Sequence, residues 1–417
     1  MTLIFALLGG LLVLAVVANR LFSRTRIPDA VVLMIVGLLL GPAFGLLDLS
    51  GFQPVIHAFG TLAVILILFE AGLDLDLRDT LRHFPGGLFL AFLAYAIGVG
   101  LVAFVVANSM NLSVGNSMLI GAVLACTSSS ITVPILQQME IEKPAKITML
   151  LEASMSDAFA VLTVGILLDL GESPGRIFPS IFYLMFFDIV VSLALAFLAA
   201  MVWSFVLPRL SSQRFWQVLT FAIVLLLYAG VQRIGANGLI AVLGFGLAMA
   251  NIRRVDPHLI ELSTGMELVG EERHFQMLNF HSELAFLVRS FFFVLIGITV
   301  SFTRMIHVLP AILGIVGALM AARWLALLGS RWLLRNFRPL ELETVFWIMP
   351  RGLITVVLAL QVVTMHENDL AFLPSLAFGA ILATNILVVI GTIRARRLAP
   401  QLPPSVPANG ESPTQPE

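Results

Sequence analysis

The chain is a succession of apolar stretches near the ~20 residues needed to cross a bilayer, separated by connections that carry most of the charge. In hydrocarbon every backbone N–H and C=O must be satisfied inside the protein, so such stretches fold as helices or as strands of a closed barrel. Long continuous apolar runs, without strand-like alternation, select helices. Breaking the runs at charged or Gly/Pro/Asn clusters predicts an all-α polytopic membrane protein of about thirteen spans: 2–22, 29–48, 56–74, 85–109, 114–138, 145–170, 177–206, 215–232, 237–252, 281–302, 305–330, 342–365 and 370–393. Only 12% of the 417 residues are charged, against about 25% in a soluble domain. The formal net charge of -1 gives no footprint for a nucleic acid.

The opening residues have neither a basic n-region nor a small-residue cleavage site, so the first helix is expected to be retained. Residues 399–417, rich in Pro, Ser and Glu, are expected to form a disordered cytoplasmic tail after a membrane domain over 1–398. The single Cys126 has no partner for an internal disulfide and reads as packing. Basic residues set the orientation. With the N-terminus outside, eighteen of the 24 Lys and Arg fall in inner connections or the tail, Arg20, Arg24, Arg82, Lys143 and Lys146 among them. The outer connections hold Arg176, Arg233 and Arg304, and Arg289, Arg323 and Arg351 lie within spans. An N-out, C-in protein of the inner membrane follows. Residues 253–280 mix charge with spaced apolar residues and are expected to lie partly along the inner membrane surface.

A charge at the centre of a membrane helix costs about 2.5–3.5 kcal/mol on insertion scales, so each ionisable residue within a span is a functional candidate. Glu152, Ser154, Ser156 and Asp157 interrupt the run LLEASMSDAFAVL. At 100° per residue Glu152 and Asp157 point about 140° apart, Ser154 lies within about 60° of Asp157 and Ser156 within about 40° of Glu152. Asp157 with Ser154 is therefore assigned to one cavity and Glu152 to another partner. Glu70, near the inner end of its span, is a candidate for the lining of a cytoplasmic funnel. Arg323 and Asp188 read as packing or snorkelling residues. His274 and His281, placed in a connection, are weighed as pH sensors. No metal-ligand spacing and no cofactor motif appears among the seven His.

The span before Glu152 contains LACTSSSITVPILQQ, with hydroxyls at Thr127, Ser128, Ser129, Ser130 and Thr132 and a missing backbone donor at Pro134. A helix interrupted there would offer carbonyls and hydroxyls to a hard monovalent cation. Pro350, Arg351 and Gly352 interrupt the corresponding span of the second half. LILFEAGLDLDL and RSFFFVLIGITVS each stand two helices before such an interruption. Helices 1–6 and 8–13 then form two inverted six-helix repeats with helix 7 between them.

RIPDAVVLMIVGLLLGP, LFEAGLDLDL, LLEASMSDAFAV, NGLIAVLGFGLAMAN, FFFVLIGI and PRGLITVVLAL together resemble the monovalent cation:proton antiporter superfamily, the sodium/proton exchangers and their relatives. The resemblance covers residues 1 to 400. It implies two crossed broken helices and a homodimer in lipid, with a moving core over about 85–170 and 305–393 and a fixed scaffold over about 2–74 and 177–302. It also implies that Asp157 is the carboxylate shared by H+ and Na+ or K+, that Ser156 occupies the family's usual Asn position, and that Arg351 is the partner of Glu152, Arg289 being the alternative. Thr127, Ser128 and Ser129 stand where electroneutral members carry Thr-Asp-Pro, which removes one carboxylate. One carboxylate implies one proton per cation, and the resemblance implies a role in pH homeostasis. A potassium efflux pathway of the glutathione-gated type without its regulatory domain, and an intramembrane protease, are the alternatives; a protease would need paired catalytic carboxylates or a serine motif that the chain lacks.

Overall fold

A computed structural model describes residues 2–25, 28–44, 53–74, 77–137, 139, 141–170, 177–210, 215–255, 271–299, 307–335, 337–365 and 370–398. The tail beyond 398, residues 256–270 of the expected surface segment and Arg304 lie outside the described residues. Among the described residues fifteen helices follow one another: α1 (Thr2–Thr25), α2 (Asp29–Leu38, continued by a wider turn over Leu39–Ala43), α3 (Gln53–Asp74), α4 (Leu77–Met110), α5 (Val114–Ala125), α6 (Ser129–Gln137), α7 (Lys143–Leu170) and α8 (Ile177–Leu210). The second half adds α9 (Trp216–Arg233), α10 (Gly238–Val255), α11 (Glu271–Thr299), α12 (Leu309–Gly329), α13 (Pro339–Trp347), α14 (Leu353–Met365) and α15 (Leu373–Leu398). Joining α5 to α6 and α13 to α14 gives thirteen membrane segments in the expected order. Among the described residues eight segments are long and apolar enough to span, and five shorter apolar helices fill the remaining places. The main departure at a boundary is α11, which starts at Glu271, ten residues before the expected span.

Local chemistry sets the ends. Ser113 accepts the N–H of Asn116 and caps α5, while Asn111, at φ 52°, turns the chain out of α4 in the left-handed region that Asn tolerates. Asn237 Oδ1 accepts the N–H groups of Leu239 (2.9 Å) and Ile240 (3.1 Å) at the start of α10. Pro339 opens α13, with the Glu341 carboxylate accepting from the N–H of Arg338.

Two groups of helices pack side by side. In one, α2 and α3 lie against α10 and α11, with α8 and α9 outside; in the other, α4, α5, α7 and α12–α15 pack together. Most of the broken segment Val114–Leu136 and of Lys143–Leu168 is buried, whereas most of Phe187–Leu207 and Trp216–Arg233 is not. The interrupted helix and its neighbour are thus central, and α8 and α9 present apolar side chains to lipid.

The first group is joined backbone to backbone at two glycine crossings. A Cβ on Gly37 would strike the Val294 carbonyl and one on Gly297 the Met34 carbonyl, which is where α2 crosses α11. A Cβ on Gly72 would strike the Leu243 carbonyl and one on Gly246 the Phe69 carbonyl, where α3 crosses α10. Counted as spans, these are helices 2 with 10 and 3 with 9, the pairs that an inverted repeat with an offset of seven exchanges. Side chains bulkier than hydrogen are expected to force these helices apart. Gly246→Val should destabilise the protein by about 1–3 kcal/mol through overpacking. Gly100→Ala, which has open space, should be neutral or stabilising by about 0.5–1 kcal/mol. Thermal unfolding in detergent checks both.

Candidate functional site

The site is built where the two broken helices meet. Cys126 adopts an extended backbone (φ −70°, ψ 137°) and ends α5, and α6 restarts at Ser129. The break therefore falls at residues 126–128, as the hydroxyl run predicts. Pro134 lies inside α6, five residues beyond its first residue Ser129 and away from the break itself. On the other side α13 ends at Trp347 and α14 begins at Leu353, around Pro350, Arg351 and Gly352. The breaks touch: the N–H of Ser128 donates to the Pro350 carbonyl at 2.8 Å, and Gly352 approaches Ser128 so closely that a Cβ there would collide with its side chain.

Breaking a helix frees carbonyls, and arginines take them. The guanidinium of Arg351 donates from Nε to the Leu124 carbonyl and from Nη1 to the Met349 carbonyl, both at 2.8 Å. It thus sits on the negative, C-terminal ends of α5 and α13. Arg323, from α12, donates from Nε to the Val345 carbonyl at 2.9 Å and from Nη2 to the Ile348 carbonyl at 3.4 Å, on the same end of α13.

Arg323 also makes the ion pair that the sequence assigns elsewhere. Its Nη1 is 2.7 Å from Glu152 Oε1 and its Nη2 donates to Oε2 at 3.1 Å, with the two side chains 2% and 1% exposed. Neither Arg351 nor Arg289 is the partner of Glu152. Arg351 is committed to carbonyls of the crossing, and Arg289 lies on α11, paired with Asp29 at 3.0 Å. Arg323 is accordingly a buried ion-pairing residue, where its sequence suggested packing or snorkelling; one Nη donates a hydrogen bond to the carboxylate and the other stands within ion-pair distance of its second oxygen.

Asp157 faces the first break. Its Oδ2 accepts two bonds from the first residue of α6, from the Ser129 N–H at 3.1 Å and the Ser129 hydroxyl at 2.7 Å. A carboxylate at a helix N-terminus is favoured by the free N–H groups and the dipole there. The residue is 1% exposed and its Oδ1 has no hydrogen-bond partner among the described residues. Ser156 lies at the same break, its Oγ accepting the Thr127 N–H at 3.0 Å. This differs from the helical-angle reading that grouped Ser156 with Glu152 and Ser154 with Asp157. Ser154 is buried on α7, and the bonds to Asp157 come from Ser129 instead. Ser128 and Ser130 bond to each other through their hydroxyls at 2.8 Å, and Thr132 Oγ1 donates to the Ser128 carbonyl.

The second half repeats this arrangement with residues that the sequence reading passes over. The Arg351 N–H donates to Thr384 Oγ1 at 3.1 Å, as the Thr127 N–H does to Ser156. Asn385 Nδ2 donates to the Arg351 carbonyl at 3.0 Å, and its Oδ1 is buried without a partner among the described residues. Thr384–Asn385 on α15 is the inverted-repeat counterpart of Ser156–Asp157 on α7. The signal was an adjacent hydroxyl and Asx pair inside the apolar run ILATNILVV, in the span after each break.

A cavity of about 300 Å³ opens between the two groups of helices, lined by Glu70, Asn19, Ser282, Glu283, Arg289, Ser130 and Pro134 among others. Glu70 accepts a hydrogen bond from the Ser282 hydroxyl. The cavity reaches α6 at Ser130, next to the residue that holds Asp157. His281, expected in a connection, is instead buried in α11, with Nδ1 at 2.8 Å from the Met277 carbonyl and the rings of Phe69, Phe221 and Phe280 around it. The side chain of His274 lies outside the described residues.

Breaking the Glu152–Arg323 pair leaves one charge buried. Glu152→Gln or Arg323→Met alone should cost about 3–5 kcal/mol, and Glu152→Gln combined with Arg323→Met should recover most of it, measured as thermal unfolding in detergent.

The model of the family described as "Sodium/hydrogen exchanger, transmembrane" matches residues 10–393. A Na(+)/H(+) antiporter of Enterococcus hirae is 29% identical over 156 residues, 37% of this chain and 39% of that protein. The K(+)/H(+) antiporter NhaP of Alkalimonas amylolytica is 24% identical over 359 residues, 85% of this chain and 59% of that protein. The chain thus spans well under two thirds of the length of either relative. The solved structure of the sodium proton antiporter MjNhaP1 from Methanocaldococcus jannaschii has the same fold, with a TM-score of 0.72 at 20% identity over 96% of this chain and 98% of that one. With the match running through both broken helices and the helices that carry Asp157 and Asn385, this chain belongs to the sodium/hydrogen exchanger family of transmembrane proteins.

Proposed function

We propose that the protein exchanges a monovalent cation, Na+ or K+, for H+ across the membrane, with Asp157 as the carboxylate that proton and cation share. The observation that supports this reading is the division of labour in that carboxylate. Oδ2 is fixed by both donors of Ser129, while Oδ1, in a buried site, has no donor among the described residues. A buried carboxylate needs a proton or a cation to offset its charge. The two compete for one group, and binding is therefore exclusive, as exchange requires.

Thr127, Ser128 and Ser129 supply the break, Ser129 donates to Asp157, and Ser156 fixes the break to α7 by accepting the Thr127 N–H, with Ser154 buried on the same helix. Glu152 is locked to Arg323, so one carboxylate remains at the crossing and one proton moves per cation with no net charge. The same lock separates Glu152 from Asp157 and counts against a protease that needs two facing acids. We assign the group containing α4–α7 and α12–α15 as a moving core and the other as a scaffold, with the cavity at Glu70 as the cytoplasmic entry when the chain lies N-out in the inner membrane. A homodimer through the scaffold belongs to the same reading.

Proteoliposomes with an internal pH dye test it. Addition of Na+, K+ or Li+ salts should move protons outward, and Asp157→Asn should reduce that movement at least a hundredfold for every cation. Retention of full exchange by Asp157→Asn would overturn the assignment. Clamping the membrane potential with an ionophore should leave the rate of electroneutral exchange unchanged, whereas a passive potassium pathway would show potential-dependent flux without proton movement.

A further inference from the structure

The cavity between the two groups of helices contains a cation of the protein's own, and its contacts cross from one group to the other. Arg289 on α11 is paired with Asp29 at the start of α2, Nη2 to Oδ2 at 3.0 Å. Both residues belong to the scaffold. The same guanidinium reaches across to α6 of the core, where Nη1 donates to the Ser130 carbonyl at 3.2 Å. That carbonyl is available because of Pro134. In an α-helix the carbonyl of residue i accepts the N–H of residue i+4, and a proline at i+4 has none. Pro134 stands inside α6 four residues after Ser130, so it frees one carbonyl of that half-helix, and Arg289 takes it. The neighbouring residue, Ser129, holds Asp157. The Arg289 and Asp29 side chains are 13% and 11% exposed, so water screens their pairing little.

We propose that Arg289 is a positioning residue of the transport cycle: anchored to Asp29 in the scaffold, it docks on the Ser130 carbonyl that Pro134 frees, and so holds α6 and Asp157 in register with the open cavity. The proposal rests on the assignment of a moving core made above. The scaffold pair stays intact when the core moves, while the single bond to Ser130 is made and broken in each cycle. A proline that served only to bend α6 would need no arginine opposite the carbonyl it frees. An arginine that served only to neutralise Asp29 would need no contact with the core.

Cavity access and transport kinetics test this in proteoliposomes. Cys126→Ser removes the native thiol and Ala71→Cys introduces one on α3 in the cavity wall. Arg289→Gln should slow labelling of that thiol by a membrane-impermeant maleimide at least threefold, because the cavity-open state is no longer held. Pro134→Ala, which returns an N–H to the Ser130 carbonyl and leaves Arg289 in place, should slow it by a similar factor. Both should change the maximal exchange rate at least threefold while the apparent KM for Na+ or K+ stays within twofold, and Arg289→Lys should keep at least half of the wild-type labelling rate. Wild-type labelling in Pro134→Ala would overturn the proposal, as would a KM shift above fivefold with labelling unchanged in Arg289→Gln. Should Arg289→Gln fail to accumulate in the membrane, Pro134→Ala alone decides. Absence of exchange by the wild-type protein would sink the antiport reading, while labelling still reports separately on the Arg289 contact.

Discussion

Every feature of the site depends on how the protein satisfies backbone groups that two interrupted helices expose at membrane depth. Hydrocarbon offers no hydrogen bonds, so each freed N–H and C=O has to find a partner within the crossing. The Ser128 N–H goes to Pro350, the Thr127 N–H to Ser156, the Ser129 N–H to Asp157 and the Arg351 N–H to Thr384. The carbonyls of Leu124, Met349, Val345 and Ile348 go to the guanidinium groups of Arg351 and Arg323. An arginine offers five donors in a rigid fork and keeps its charge, which suits it to the carbonyl end of a half-helix. The acidic side chain is correspondingly found at the N–H end.

The inverted repeat makes this economy visible. Each half has a broken helix followed by a helix whose hydroxyl receives the break's N–H, and whose next residue is an Asx side chain with one buried oxygen lacking a partner among the described residues. In the first half that side chain is Asp157 and in the second it is Asn385. A carboxylate changes charge with its proton and a carboxamide does not, so the two otherwise equivalent positions are chemically unequal. The crossing repeats its backbone pattern in both halves and differs where a carboxylate in one stands opposite a carboxamide in the other.

Much of this was legible in the sequence because membrane folding imposes length and periodicity on it. The thirteen spans, both interruptions and the prominence of Asp157 follow from apolar run lengths, from Pro350–Gly352 and from polar residues in expensive places. The partner of Glu152 was not legible. Helical angles say which residues of α7 diverge from one another, but not which of three arginines within spans stands opposite, since that depends on how α12 packs beside α7. Arg323 was passed over because AARWLALLG resembles the end of any apolar helix with a snorkelling cation. Ser156 was misplaced for a related reason, since the extended backbone at Cys126 brings the Thr127 N–H to a side of α7 that its own periodicity does not reveal. Thr384 and Asn385 were overlooked because neither carries a charge. The sequence segment at 271–280 looked like a polar connection and is a helix, its charges standing at the end of α11 beyond the apolar run.

The paired glycine crossings of α2 with α11 and α3 with α10 set a property that side-chain packing could not. Contacts made by backbone alone have no rotamers to populate, so they lose none of their definition as side chains gain conformational freedom on warming. They also present no side-chain volume for lipid or detergent to replace. At these four glycines the separation of the crossing helices is therefore set by main chain, and any added carbon would have to displace a carbonyl.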